Sequence, residues 1–244
     1  MADKKIIEVN GLSATFGERE VLRDVSFSAY QGEVTVILGE SGSGKTTVLK
    51  HLLGLYDIQE GYVSILDNNI NDLNEDKQKD LYLKMGVFYQ NGGLLNSLTV
   101  GENVSLPLEQ HTHLDEDLIR RIVLTKLQLV HLDGVYDLFP SQLSGGMLKR
   151  AALARAMVMD PPLLFCDEPG AGLDPISLAS LDKLILNLRK ELGMSMVIIT
   201  HEVSSILRIA DRIVFIDEGK IIFTGKMKEA LESENKEVHD FFHI

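Results

Sequence analysis

Cysteine occurs once in the 244 residues, at Cys166. That excludes a disulfide within the chain and any cysteine-rich zinc site, and it suits a reducing compartment. Set inside the apolar run Leu163-Leu-Phe-Cys-Asp167, the residue reads as core. Basic residues are also scarce: 24 Lys and Arg stand against 36 Asp and Glu, for a formal net charge of −12. Binding a nucleic-acid backbone needs clustered cations, so nucleic acid is not expected as the main partner, although local basic patches are compatible with this balance. No apolar run approaches the roughly 20 residues of a membrane span, so any membrane role would run through a partner. Met1-Ala-Asp-Lys-Lys5 leads straight into the strand-like Ile6-Ile-Glu-Val9, without the apolar stretch of a secretory leader. Repeats, low-complexity tracts and long linkers are missing as well. What remains is a chain with 45% apolar residues, enough to fold, and long enough for one α/β domain with or without a subordinate lobe.

The most informative stretch is Gly39-Glu40-Ser41-Gly42-Ser43-Gly44-Lys45-Thr46, which fills the phosphate-loop template G-x-x-x-x-G-K-[ST] at every fixed position. By accident the pattern arises in roughly one chain of this length in a hundred. Here it also has its context: Glu33-Val-Thr-Val-Ile-Leu38 reads as a buried strand before it, and Thr47-Val-Leu-Lys-His-Leu-Leu53 as a helix stopped by Gly54. Gly39, Gly42 and Gly44 allow turns closed to other residues, so successive N–H groups converge on a polyphosphate at the positive end of a helix. Lys45 is expected to reach the β- and γ-phosphates, and the Thr46 hydroxyl to complete a Mg²⁺ shell.

In chain order, Ile6 to Leu12 and Val25 to Tyr30 read as antiparallel β structure, with Phe16 in the turn between them. Phe16 is either a packing staple or a platform for adenine; both readings stay open. Gly61 to Leu66 is a strand and Asp76 to Lys84 a polar-faced helix. Lys84 to Gln90 reads as a strand, so Gln90 stands at a carboxyl end, where ligands gather in open α/β sheets. A Gln there could ligate Mg²⁺ or orient water, or be an ordinary loop residue. From Thr99 to about Met159 only helices are expected. Thr99-Val-Gly-Glu102 is a capping box, Asp115 to Leu132 has helical periodicity, and an Ala-rich helix runs from Leu148 to Met159. Before that helix, Leu143-Ser144-Gly145-Gly146-Met147 offers a second anion site, a weak signal alone. Leu163 to Glu168 is a buried strand ending in two acids, placing Asp167 to reach Mg²⁺ through water and Glu168 to polarise an attacking water. Asp174-Pro175 opens a helix that runs to Leu192 and stops at Gly193. Met194 to Thr200 is a further strand ending at His201, where a neutral imidazole could contact a γ-phosphate. Ile213-Val-Phe-Ile216 and Ile221-Ile-Phe223 form a hairpin, followed by a charged helical tail.

These motifs follow one another at the spacing of the ATP-binding-cassette (ABC) ATPases, and nearly the whole chain resembles that family. The resemblance implies an α/β P-loop NTPase fold with a RecA-like core, an N-terminal antiparallel β subdomain and an inserted helical subdomain. Residues 1–244 then form a single nucleotide-binding domain, with the helical subdomain at about 96–159. It implies ATP and Mg²⁺ as cofactors. Phe16 and the loop Gly39, Glu40, Ser41, Gly42, Ser43, Gly44, Lys45, Thr46 and Thr47 would hold the nucleotide, and Thr46, Gln90 and Asp167 the metal. Glu168, His201 and Gln90 would act in hydrolysis. Ser144, Gly145 and Gly146 would touch ATP held by another copy, so that two chains sandwich two ATP molecules.

Met147 stands where most relatives have Gln, Gly170-Ala-Gly-Leu-Asp174 replaces Thr-Ser-Ala-Leu-Asp, and Glu202 replaces a common Asp. The first two, with Pro140-Ser-Gln-Leu143 and Leu207-Arg-Ile-Ala-Asp-Arg212, resemble the Mla-type ATPases of bacterial lipid transport. That branch implies a phospholipid transporter between bacterial membranes. The partners would be a membrane-spanning permease, an MCE-domain lipid-binding protein and a small regulatory subunit, and the ATPase would sit peripherally on the cytoplasmic face of the inner membrane. Because the chain ends soon after Phe241-Phe242, a longer tail for dimer contacts is not expected. Two transporter alternatives stay open: lipoprotein release and small-solute import. A soluble ABC regulator would be expected to carry tandem cassettes, coiled-coil insertions or zinc cysteines. A switch without turnover would not need Glu168, His201 and Gln90 together.

Overall fold

The computed structural model describes residues 4–243. Met1–Asp3, where no leader is expected, lie outside the described residues, as does Ile244. The chain divides into two compact units: residues up to Tyr82 together with those from Ser195 onward, and Leu83–Met194.

The first unit begins with the long strands β1 (Lys5–Phe16) and β2 (Arg19–Tyr30), paired antiparallel from Lys5 opposite Tyr30 to Phe16 opposite Arg19. Both strands run further toward the turn than the apolar alternation indicates. Shifts of register near Gly11 and Ser13 break the alternation while keeping the pairing. Phe16 is accordingly the last residue of β1 and not a turn residue. Next come β3 (Val34–Leu38) and α1 (Lys45–Leu52). They are followed by β4 (Glu60–Ile65), the short β5 (Asn68–Asn69) and α2 (Glu75–Tyr82). A four-stranded antiparallel sheet has the order β2-β1-β4-β5, its inner face built from Ile7, Val9, Leu12, Leu22, Val25 and Phe27.

The second unit holds β6 (Met85–Phe88), α3 (Val100–His111), α4 (Glu116–Leu129) and α5 (Gly145–Ala156), then β7 (Leu163–Asp167) and α6 (Pro175–Leu192). β6 and β7 are parallel. Between them the chain is helical, as predicted, with α3, α4 and α5 packed on one another. The helix ends follow the local code closely. Thr99 and Glu102 close a capping box on α3, Asp115 Oδ1 accepts from Leu118 N at 2.8 Å, and Asp174 Oδ1 accepts from Ile176 N and Ser177 N at 3.0 and 3.1 Å. Each such cap contributes about 1 kcal/mol. Ser144 caps α5, which therefore starts at Gly145, inside the Ser-Gly-Gly motif and three residues earlier than the Ala-rich run.

Back in the first unit, β8 (Ser195–Ile199), α7 (Val203–Ile209), β9 (Arg212–Asp217), β10 (Lys220–Lys226), α8 (Met227–Leu231) and α9 (Lys236–Phe242) complete the chain. β3 lies parallel between β8 and β9, and β10 pairs antiparallel with β9. All five residues of β3 and of β8 are buried, which is why both read as unbroken apolar runs.

Candidate nucleotide site

The phosphate loop leaves the carboxyl end of β3 and turns into α1. Its conformation depends on residues lacking a Cβ: a Cβ on Gly39 would lie 2.0 Å from the Ile216 carbonyl oxygen, and one on Gly44 2.8 Å from Leu22 Cδ2. Strands β9 and β2 thus press directly on the back of the loop. Gly44 is the N-cap of α1 and supplies no capping side chain, so the first N–H groups of the helix are left for an anion. Ser43 Oγ is buried with no hydrogen-bond partner among the described residues. Lys45 folds over the loop and donates to the carbonyl oxygens of Gly39 and Glu40 at 2.8 and 2.7 Å. Glu40, Ser41, Gly42 and Thr46 are exposed, and Thr47 is half-buried. Beside Gly42 a cavity of about 750 Å³ is lined by Arg19, Arg23 and Gly219 together with the acidic residues Glu18, Glu20 and Glu218.

Two other predicted residues belong to this unit. Ile37 and Ile199 are paired across β3 and β8, so Gly39 and His201, each two residues further on, leave the same edge of the sheet side by side. Thr200 between strand and histidine is buried, and its hydroxyl accepts from Glu202 N at 3.2 Å. Phe16 is 42% exposed, with its ring 5.1 Å from that of Tyr56. Tyr56 was not singled out from the sequence, because a single aromatic after a helix carries no local signal.

In the second unit the same register logic applies. Phe88 pairs with Cys166 across β6 and β7, so Gln90 and Glu168 both lie two residues past one rung. Gln90 is beyond the strand end, not in it, since β6 stops at Phe88. Cys166 is fully buried, and burial pushes its thiol up to about 12. Glu168 has φ +45°, left-handed backbone rarely taken by a residue with a side chain. The Gln90 loop is fastened by α5. Lys149 Nζ donates to the Gln90 carbonyl, and Arg155 donates to the Gly93 and Gly92 carbonyls at 2.7 and 3.0 Å. Burial pulls the Lys149 ammonium below the ordinary lysine range, and the Glu168 carboxylate opposes that pull. Lys149 was also missed from sequence; the one cue was a cation in the middle of an Ala-rich helix turn.

Ser144, Gly145 and Gly146 are at the N-terminus of α5, the first two exposed; the Ser144 hydroxyl accepts from Met147 N at 3.3 Å. The same helix carries Lys149, which donates to the Gln90 carbonyl. Gly170, one of the departures from the common ABC pattern, has a packing cause: a Cβ there would meet Leu178 Cδ1 at 2.3 Å.

With a phosphate cradle, a His and an acid pair at strand ends in place, comparison with known proteins decides the family: a family model described as ABC transporter matches residues 22–171. The chain belongs to the ABC transporter family. It is 38% identical to the intermembrane phospholipid transport system ATP-binding protein MlaF of Haemophilus influenzae, over 98% of this chain and 90% of that one. It is 37% identical to the methionine import ATP-binding protein MetN of Clostridium tetani, over 92% of this chain and 70% of that one. Among solved structures, the dimeric post-hydrolysis state of the ATP-binding cassette MJ0796 bound to ADP and Pi has a TM-score of 0.81 and 30% identity, covering 91% of this chain and 98% of the cassette. The ABC chain described above is therefore an ATP-binding ATPase of the kind that energises a transporter. No helix of the described residues is long and apolar enough to cross a membrane.

Proposed function

We propose that this ATPase powers phospholipid transport between bacterial membranes, docked peripherally to a permease on the cytoplasmic face of the inner membrane. The observation that carries the cargo is the match to a phospholipid transport ATPase over almost the full length of both chains. In this reading the main-chain N–H groups of Gly42 to Thr46 bind the β- and γ-phosphates, and Lys45 exchanges its two loop carbonyls for phosphate oxygens. Phe16 stacks on adenine. Glu168 takes the proton of the attacking water, while His201 and Gln90 contact the γ-phosphate and the water that attacks it.

Mg²⁺ fits the donors present. The Thr46 hydroxyl, the Gln90 amide and the Asp167 carboxylate all offer oxygen, the donor this ion takes, and they would complete a shell drawn mainly from phosphate and water. When bound it would neutralise charge developing on the phosphates.

Ser144, Gly145 and Gly146 complete the site on a second copy, a reading supported by the dimeric state of the neighbouring cassette. An MCE-domain protein and a small regulatory subunit would join the permease. Transport of a small solute is the second reading, favoured by the methionine import relative. The deciding experiment reconstitutes the ATPase with its permease in proteoliposomes and compares ATP turnover with phospholipid or methionine supplied as cargo. Stimulation by phospholipid alone is the expected result; stimulation by methionine alone would overturn the assignment.

A further inference from the structure

Phe16 does not stand alone on its strand end. Its ring centroid lies 5.1 Å from that of Tyr56, with the planes tilted by 59°. The residue before it is gripped by the same segment that carries Tyr56: Thr15 N donates to Gln59 Oε1 at 2.9 Å, and Gln59 Nε2 donates back to the Thr15 carbonyl at 3.2 Å. Tyr56 also meets the buried His51 ring in an edge-to-face arrangement, 5.5 Å away at 69°. His51 in turn places Nδ1 2.7 Å from the carbonyl oxygen of Thr47. A carbonyl can only accept, so Nδ1 carries the proton and that tautomer is fixed. Lys50 Nζ lies 3.1 Å from the Tyr56 hydroxyl. A continuous path of ring contacts and hydrogen bonds thus runs from Phe16 through Tyr56 and His51 to Thr47, in the first turn after the phosphate loop.

We propose that Tyr56 is a positioning residue for the nucleobase, holding the Phe16 ring at a set distance and tilt from the phosphate cradle. The proposal rests on the reading of Phe16 as the adenine platform. An aromatic side chain at a strand end has rotamer freedom that stacking must remove, and a ring already held against a neighbour loses less on binding. Part of Phe16 stays exposed for the base while its ring meets Tyr56, which itself packs on His51 of α1. His51 links this pair to the helix whose N-terminus receives the phosphates, so base and triphosphate are read by one connected frame.

The test uses the full chain, with calorimetric titration by ATP and by inorganic tripolyphosphate, and steady-state turnover in the assembled transporter. Tyr56→Ala is expected to raise Kd and KM for ATP roughly two- to tenfold, the range of an aromatic pair. It should leave kcat and the affinity for tripolyphosphate unchanged. Tyr56→Phe should restore ATP affinity, and Tyr56→Ala should add little in a Phe16→Ala background. If Tyr56→Ala leaves ATP affinity intact while Phe16→Ala weakens it, the positioning role is wrong and the platform stands. If Phe16→Ala itself changes nothing, the platform reading fails first. Equal weakening toward ATP and tripolyphosphate would mark Tyr56 as a general structural support and overturn the proposal. Should Tyr56→Ala not fold, Tyr56→Leu keeps the volume and is held to the same outcomes.

Discussion

The main-chain N–H of Gly219 donates to the carbonyl oxygen of Ser43 at 3.0 Å. Gly219 forms the tip of the β9–β10 hairpin with φ +79°, and its own carbonyl accepts from Arg23 N at 2.8 Å. A Cβ there would lie 2.3 Å from the Val21 carbonyl oxygen. The hairpin tip is therefore wedged against β2 and holds the phosphate loop by its backbone. Gly219→Ala should push the tip away and break the bond to Ser43. Affinity for ATP is expected to fall about fivefold, the worth of one main-chain hydrogen bond. Gly32→Ala is the control: φ is +72° with open space around the Cβ, so it carries the backbone cost of about 1 kcal/mol and should lower Tm alone. Equal ATP binding by both variants would refute the positioning role.

The contrast between Gly219 and Gly39 shows what local sequence can reveal. The phosphate loop, the α6 caps at Asp174 and Gly193, and the acid pair at the end of β7 are written in contiguous residues, because turn chemistry, capping and strand burial are short-range effects. Phe16 and Gln90 were displaced by one element boundary each, since β1 keeps pairing through irregular register and β6 is only four residues long. The Gly219–Ser43 tie, the Phe16–Tyr56 pair and the Lys149–Gln90 bond join distant segments. Periodicity has no means of reporting such contacts.

Lys149 fastens the loop that follows β6. It donates to the Gln90 carbonyl and lies with its ammonium 5.5 Å from the centre of the Phe88 ring. Lys149→Met should therefore lower kcat by roughly three- to tenfold, about the net worth of one ordinary hydrogen bond passed on to the residue it positions, with KM for ATP little changed. A rise in KM at constant kcat would assign Lys149 to nucleotide binding instead.

Glu168→Gln preserves the side-chain shape, so the left-handed backbone at this residue can persist while the carboxylate is lost. ATP binding should be retained and phosphate release should fall by a factor on the order of a hundred or more, the usual worth of a general base. Size-exclusion chromatography with ATP should then show an accumulated dimer. A turnover rate close to that of the parent would remove Glu168 from its proposed role.

Ser144→Arg separates a site shared between copies from one contained in a single copy. Losing the cap on Met147 N costs about 1 kcal/mol of stability, a cost that Ser144→Ala shares. Arginine, but not alanine, should abolish turnover in the assembled transporter, while both leave ATP binding by the isolated subunit unchanged. A sharp loss of binding in the isolated Ser144→Arg subunit would mean that the motif acts within its own chain.

Cys166 gives the chain a pH dependence whose sign follows from its burial. The thiol is held neutral in the fold, with a pKa of about 12 against 9.0 for an ordinary cysteine. Its contribution to stability is fully present below pH 9. Above that the unfolded chain ionises and the folded chain does not, so stability drains away as pH rises toward 12, by about 1.4 kcal/mol per unit at most. Other groups titrate in the same window, and the difference between the parent and Cys166→Ala isolates the thiol. Denaturation midpoints followed from pH 8 to 11 should fall more steeply for the parent. Iodoacetamide at pH 8 should leave the folded protein unmodified and label it once guanidinium unfolds it. Rapid alkylation of the native protein, or parallel pH slopes for the two proteins, would mean that the strand carrying the acid pair is open to solvent, contrary to the buried β7 on which Asp167 and Glu168 depend.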